Sequence, residues 1–148
     1  MHYDEAKNYF DSNHICPFCQ EKHPHMIHEN EHMFIIPARA PYVEDHLLII
    51  PKRHVTLLQE LTHPELQSLH HLVEIWTNKL HSRHEAVNLL LRDGLANGIS
   101  QKSVGHLHFH LIPDCPVGSE GNDSPEREFL DDQTYVTITQ TIKQTYQK

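Results

Sequence analysis

Val104-Gly105-His106-Leu107-His108-Phe109-His110-Leu111-Ile112 alternates imidazole and apolar side chains, and Pro113 follows it. Successive side chains of a strand point to opposite faces. The pattern therefore predicts a strand over 104–112, with His106, His108 and His110 on one face and Leu107, Phe109 and Leu111 on the other. Imidazoles two residues apart on a strand stand about 6.5–7 Å apart along it. That is too far to touch. It suits several imidazoles addressing successive atoms of one polar ligand, or one holding a metal while its neighbour does chemistry.

Three further strands flank this one in the sequence. His46-Leu47-Leu48-Ile49-Ile50 is a continuous apolar run stopped by Pro51, which predicts a strand buried on both faces. His32 to Ile36 predicts a short strand ended by Pro37, and Ala86 to Arg92 a second buried strand. Thr62-His63-Pro64-Glu65 has capping-box spacing with Pro in the first turn. Leu66, Leu69, Val73, Trp76 and Leu80 then recur at helical spacing and predict one long helix. His70, His71, His81 and His84 fall mostly off that stripe and read as solvated. Residues 116–128 read as a loop, and Tyr135, Ile138, Ile142 and Tyr146 predict a shorter terminal helix. The class is α+β with a mainly antiparallel sheet. Residues 20–32 read as a polar, His-rich, solvated connector, including His23-Pro24-His25.

The 148 residues fit one domain, 1–148. A net charge of −8 argues against broad nucleic-acid binding, which needs a basic face. No apolar run approaches the roughly 18–20 residues of a membrane span. Met1 to Glu5 lacks the basic and apolar regions of a signal peptide, so the expected location is cytoplasmic. Sixteen His are present. Half of them protonated near the reference pKa of about 6.5 would bring the charge close to zero, and poor solubility is expected near pH 6. Cys16-Pro17-Phe18-Cys19 and Cys115 make an odd count, which is no disulfide framework. The pair reads as half a metal site or a redox dithiol. A thioredoxin-type dithiol belongs in a βαβ unit, and none is evident. Cys115 reads as a bystander thiol.

His106-Leu107-His108-Phe109-His110-Leu111-Ile112 resembles the signature of the histidine triad (HIT) superfamily. His46 to His54, an apolar strand ending Pro51-Lys52-Arg53-His54, looks like that family's other recurring segment. Cys16-Pro17-Phe18-Cys19 resembles the N-terminal CxxC of its zinc-containing branch. The three occur in family order over about 14–114, leaving 115–148 as loop and C-terminal extension. The resemblance implies a nucleotide phosphohydrolase or nucleotidyltransferase acting at an α-phosphate, of phosphoramidase or dinucleoside polyphosphate hydrolase type. Carried over, His108 is the nucleophile that forms a nucleotidyl-histidine, His110 contacts the phosphate or leaving group, and His46 supports the pocket. Ser103 and Lys102 are expected at the phosphate, and Phe34 in a base pocket. Cys16, Cys19, His54 and His106 are the implied ligands of a structural zinc. A homodimer and a nucleoside phosphate or dinucleotide substrate are implied as well.

Two departures stand out. Gln101-Lys102-Ser103-Val104 replaces the commoner Gly-Gln-Ser/Thr-Val. Ala38 stands where many members place an acidic ribose ligand. A zinc-stabilised nucleotide-binding module with little turnover is the alternative reading, and a CxxC redox protein a third.

Overall fold

The structure, a computed structural model, describes residues 3–13, 16–19, 22–96, 98–99, 102, 104–117 and 127–147. The elements are α1 (Tyr3–Ser12), β1 (His28–Glu29), β2 (Met33–Pro37), β3 (Leu47–Pro51), a 3-10 turn (Leu58–Glu60), α2 (His63–His81), β4 (Val87–Leu91), β5 (Phe109–Pro113) and α3 (Asp132–Thr145). The five strands form one antiparallel sheet in the order β1-β2-β3-β5-β4.

β2 and β3 are buried on both faces, as their unbroken apolar runs predict, and β5 is buried on both faces with His110 among its residues. Met33, Ile35, Leu47, Ile49, Phe109 and Leu111 form one core cluster with Leu72, Trp76 and Leu80 of α2. Full burial of such a side chain stabilises by about 1.5–3 kcal/mol. Ile142 of α3 and Tyr146 after it join the same cluster. Phe34, Ile36, Leu48 and Ile50 pack into a second cluster with Phe18 and Ala38.

Four expectations are corrected by the packing. The ladder of β5 begins at Phe109, not at Val104, because both neighbours part from it there: β3 pairs no further than Ile49 with Phe109, and β4 ends on Leu91 with Phe109. Before that point Leu107 donates to the Val55 carbonyl instead. β4 is an edge strand rather than a buried one, with Leu89 53% exposed. On α2 the inward position of the first turn belongs to Glu65, and Leu66 is exposed. Glu65 caps Thr62 and takes two hydrogen bonds from Arg53, at 2.7 and 3.2 Å. Finally, the connector is not solvated throughout. His23 is buried, His28 accepts from the Trp76 indole at 2.7 Å, and His25 stacks on Tyr135 with ring centroids 3.9 Å apart.

His84 also leaves the solvated set. It bridges Asp45 at 2.7 Å and Asp114 at 2.9 Å. Both aspartates are in the left-handed region, at φ 64° and 50°. Asp114 accepts the amides of Glu85 and Ala86, and the Tyr146 hydroxyl donates to Asp45. This clip ties the residue before His46 and the residue after β5 to the α2–β4 turn and the end of the chain.

Candidate functional site

Cys16 and Cys19 bring thiols to the level where β5 has left the sheet, and His54 follows β3. The Cys16 Sγ, Cys19 Sγ, His54 Nδ1 and His106 Nδ1 atoms all lie within 4.8 Å of one another. Sulfur-to-nitrogen separations run from 2.9 to 3.7 Å, and the two nitrogens are 3.1 Å apart. A tetrahedral zinc with bonds of about 2.3 Å to sulfur and 2.0–2.1 Å to nitrogen needs edges of roughly 3.3–3.8 Å. The donor set is one that ion takes; the Cys16 separations of 3.6 and 3.7 Å match those edges, and the Cys19 and nitrogen-to-nitrogen separations are shorter by a few tenths of an ångström or less. His106 Nε2 lies 2.7 Å from the Pro51 carbonyl. A carbonyl only accepts, so Nε2 carries the proton and Nδ1 keeps the lone pair a metal takes.

The same reasoning fixes the other rings. His108 Nδ1 lies 2.9 Å from the His106 carbonyl, so Nδ1 is the N–H and Nε2 keeps its lone pair. The Tyr42 amide donates to His46 Nδ1 at 3.1 Å. Neutral His46 thus carries its proton on Nε2, which donates to His110 Nδ1 at 2.9 Å. That leaves the His110 proton on its Nε2. One backbone amide orients a relay that ends in an N–H donor beside a nucleophilic nitrogen. The His108 and His110 ring centroids are 4.9 Å apart, so the two rings lean together and are in contact, nearer than the two-residue strand rise of about 6.5–7 Å suggests.

Burial keeps this set neutral. It pushes His108 down to about 4, partly offset by the bond to the His106 carbonyl. It pushes His46 down to about 3, with the Arg127 and His108 charges acting in the same direction. His110 lies well below the usual histidine range, first through burial and then through the charges of its neighbours.

A cleft of about 670 Å³ opens onto these rings, a size that suits a small-molecule ligand. His46, His106, His108 and His110 line it, as do Cys16 and His54. Phe18 stands edge-on to His108 at 5.2 Å. More of the wall comes from residues that the sequence reading did not assign to the site: Lys7 and Phe10 of α1, His23, His25, Arg39, and Arg127, Phe129, Asp132 and Tyr135 of the C-terminal segment. Residues 127–130 are held against 39–40. Leu130 donates to the Arg39 carbonyl at 2.9 Å, Arg39 Nε to the Leu130 carbonyl at 3.0 Å, and Arg127 to the Ala40 carbonyl at 3.1 Å. The Arg39 guanidinium pairs with Asp132 and lies over the Phe129 and Tyr135 rings. The periodicity of the terminal helix signalled Tyr135, while nothing in the loop composition signalled Arg127.

The expected substrate residues fare differently. Phe34 packs in the cleft-side cluster, stacked on His23 at 6.0 Å. Lys102 is buried, and its ammonium donates to the Thr56 carbonyl. Ser103 lies outside the described residues.

The model of the HIT domain family matches residues 20–116. The chain is 30% identical over 105 residues to a bis(5'-adenosyl)-triphosphatase of Saccharomyces cerevisiae, covering 66% of this chain and 47% of that protein. It therefore spans about half the length of this curated relative. Among solved structures, a hypothetical histidine triad nucleotide-binding protein from Sulfolobus tokodaii superposes with TM-score 0.65 at 22% identity, over 89% of this chain and 92% of that one. A zinc-bound histidine triad protein from Mycobacterium smegmatis superposes with TM-score 0.59 at 19% identity, over 81% and 84%. The two structural likenesses show the fold, and the family match spans well over half the chain: this protein belongs to the HIT domain family.

Proposed function

We propose that this protein is a nucleotide hydrolase or nucleotidyltransferase working through a covalent nucleotidyl-histidine on His108. The observation that carries the reading is the hydrogen bond from His108 Nδ1–H to the His106 carbonyl, which leaves the Nε2 lone pair for attack. Nε2 forms a bond to the α-phosphorus as the bond to the leaving group breaks. His110 Nε2–H, oriented through His46, hydrogen-bonds the phosphate or gives its proton to the departing atom. Water then attacks phosphorus, the P–N bond breaks, and a nucleoside monophosphate leaves with His108 restored. The substrate class is a nucleoside phosphoramidate or dinucleoside polyphosphate. The yeast relative, a bis(5'-adenosyl)-triphosphatase, supports the latter.

Turnover of adenosine and guanosine phosphoramidates and of dinucleoside tri- and tetraphosphates tests this. Wild type releases monophosphate, and His108→Ala releases none. Intact mass after a rapid quench shows a nucleotidyl adduct on wild type alone. No release from any of these substrates overturns the reading. Nucleotide binding without release would select the zinc-stabilised binding module instead. The burial of the Lys102 ammonium on Thr56 favours that second reading, since it draws one expected phosphate contact inward.

The reading includes a structural zinc on Cys16, Cys19, His54 and His106, supported by the fit of the donors. Its chemistry is structural: it ties the N-terminal segment to the chain entering β5. Metal analysis should give about one zinc per chain, and chelation should lower the melting temperature, since binding free energy to a folded site is folding free energy. Well under one zinc per untreated chain would falsify it. One domain over 1–148 belongs to the reading, supported by Ile142 and Tyr146 in the core. So does a cytoplasmic location, where thiol ligands stay reduced. A homodimer is supported by the exposed Leu89 on the edge strand β4.

A further inference from the structure

Arg127 follows the span matched by the family model and reaches into the cleft from the C-terminal segment. Its guanidinium carbon lies 4.1 Å from the centroid of the Tyr42 ring. Its Nη1 donates to the Ala40 carbonyl at 3.1 Å. Tyr42 is the residue whose amide holds His46 Nδ1. The hydroxyl of the same tyrosine accepts from Arg92 Nη2 at 3.4 Å. Two guanidiniums thus grip one tyrosine, one over its ring and one at its hydroxyl, next to the relay that ends in His110. Their charges reach that relay: Arg127 acts on His46 and His110, and Arg92 on His110.

A planar guanidinium held by a ring face and a carbonyl has lost much of its freedom before any ligand arrives. Beside imidazoles that burial keeps neutral, a fixed positive charge disfavours imidazolium and favours an anion. Guanidinium geometry matches phosphate oxygens. Arg39, in another part of the cleft wall, is committed to the Asp132 carboxylate and to the Phe129 and Tyr135 rings.

We propose that Arg127 binds a second phosphate group of the substrate, in addition to the one His108 attacks. This rests on the function proposed above and narrows its substrate class to nucleotides with at least two phosphates. A neutral amine leaving group makes no use of this cation.

Equilibrium binding to the full chain separates the possibilities. The ligands are AMP, ADP, adenosine 2',5'-bisphosphate and adenosine 3',5'-bisphosphate, measured by calorimetry on wild type, Arg127→Ala and Arg127→Lys. Wild type should bind ADP or one bisphosphate at least ~10-fold tighter than AMP, the size of a charge-assisted pair. In Arg127→Ala that ratio should fall to within about twofold, with Arg127→Lys between the two. A preference for ADP puts the second phosphate on the chain being cleaved, and a preference for a bisphosphate puts it on the ribose. The proposal is overturned if wild type shows no preference for a second phosphate, or if the ratio is unchanged in Arg127→Ala. Melting curves of the variants check that they are folded. Absence of turnover would strike the proposed function and leave this ratio readable.

Discussion

His46 is 2% exposed and wedged between the Tyr42 amide and His110, so protonating it means placing a charge in a buried relay. Its folded pKa of about 3 lies below the ordinary 6.5, with burial the largest cause and the Arg127 and His108 charges next. The unfolded chain therefore takes up a proton near pH 6.5 that the folded chain refuses until about pH 3. Stability is fully present above the unfolded value and falls as the pH drops below it. His23, also buried and held to about 4, acts in the same sense. The melting temperature should fall steadily from pH 6.5 to pH 4, and His46→Gln should make that fall shallower. Identical slopes for wild type and variant would refute the assignment.

His84 behaves in the opposite sense, because its environment is two carboxylates. Burial opposes its charge, but the hydrogen bonds and charges of Asp45 and Asp114 outweigh burial and raise it above 6.5. Its contribution is fully present below the unfolded pKa and is lost as the pH rises through the raised folded value. Asp45 and Asp114 sit at positive φ, at a cost of roughly 1 kcal/mol each, which Asp tolerates better than most. The clip holds them there. His84→Gln should lower the melting temperature clearly at pH 6 and by a smaller margin at pH 9. A difference that grows with pH would contradict the ion-pair reading.

The elements show why some of this was legible and some was not. β2 and β3 are unbroken apolar runs closed by Pro37 and Pro51, and a local pattern of that kind survives any arrangement around it. The zinc-fit donors and the imidazoles of His46, His108 and His110 lie inside the three segments that carry the family resemblance. The true start of β5 depends on where β3 and β4 part from it, which no local alternation encodes. His23 and His25 sit in a polar stretch whose burial is decided by Phe34 and by Tyr135, more than a hundred residues from His25 in sequence. α1 is short and polar, and its contribution to the cleft is likewise a matter of tertiary placement.

For the molecule as a whole, burial changes the titration expected from composition. Among the described residues, His23, His25, His28, His46, His106, His108 and His110 have lowered pKa values, burial being the largest cause. Imidazoles held neutral by burial add no positive charge as the pH falls through the reference value of about 6.5. The net charge of −8 is therefore offset only at a lower pH than composition implies. The solubility minimum should sit below pH 6, on the argument that uncharged proteins associate. Turbidity or light scattering across pH 4.5–7.5 locates it, and a minimum at or above pH 6 would restore the compositional estimate.

The cleft takes its walls from segments more than a hundred residues apart, Lys7 and Phe10 before the sheet and residues 127–135 after it. A ribosome delivers these segments at different times. His106, the last metal-fit ligand, and the nucleophile emerge before the wall with Arg127 and Tyr135. A nascent chain halted before residue 127 holds the imidazoles of His46, His108 and His110 and an unfinished cleft. The complete cleft therefore waits for the segment that carries Arg127.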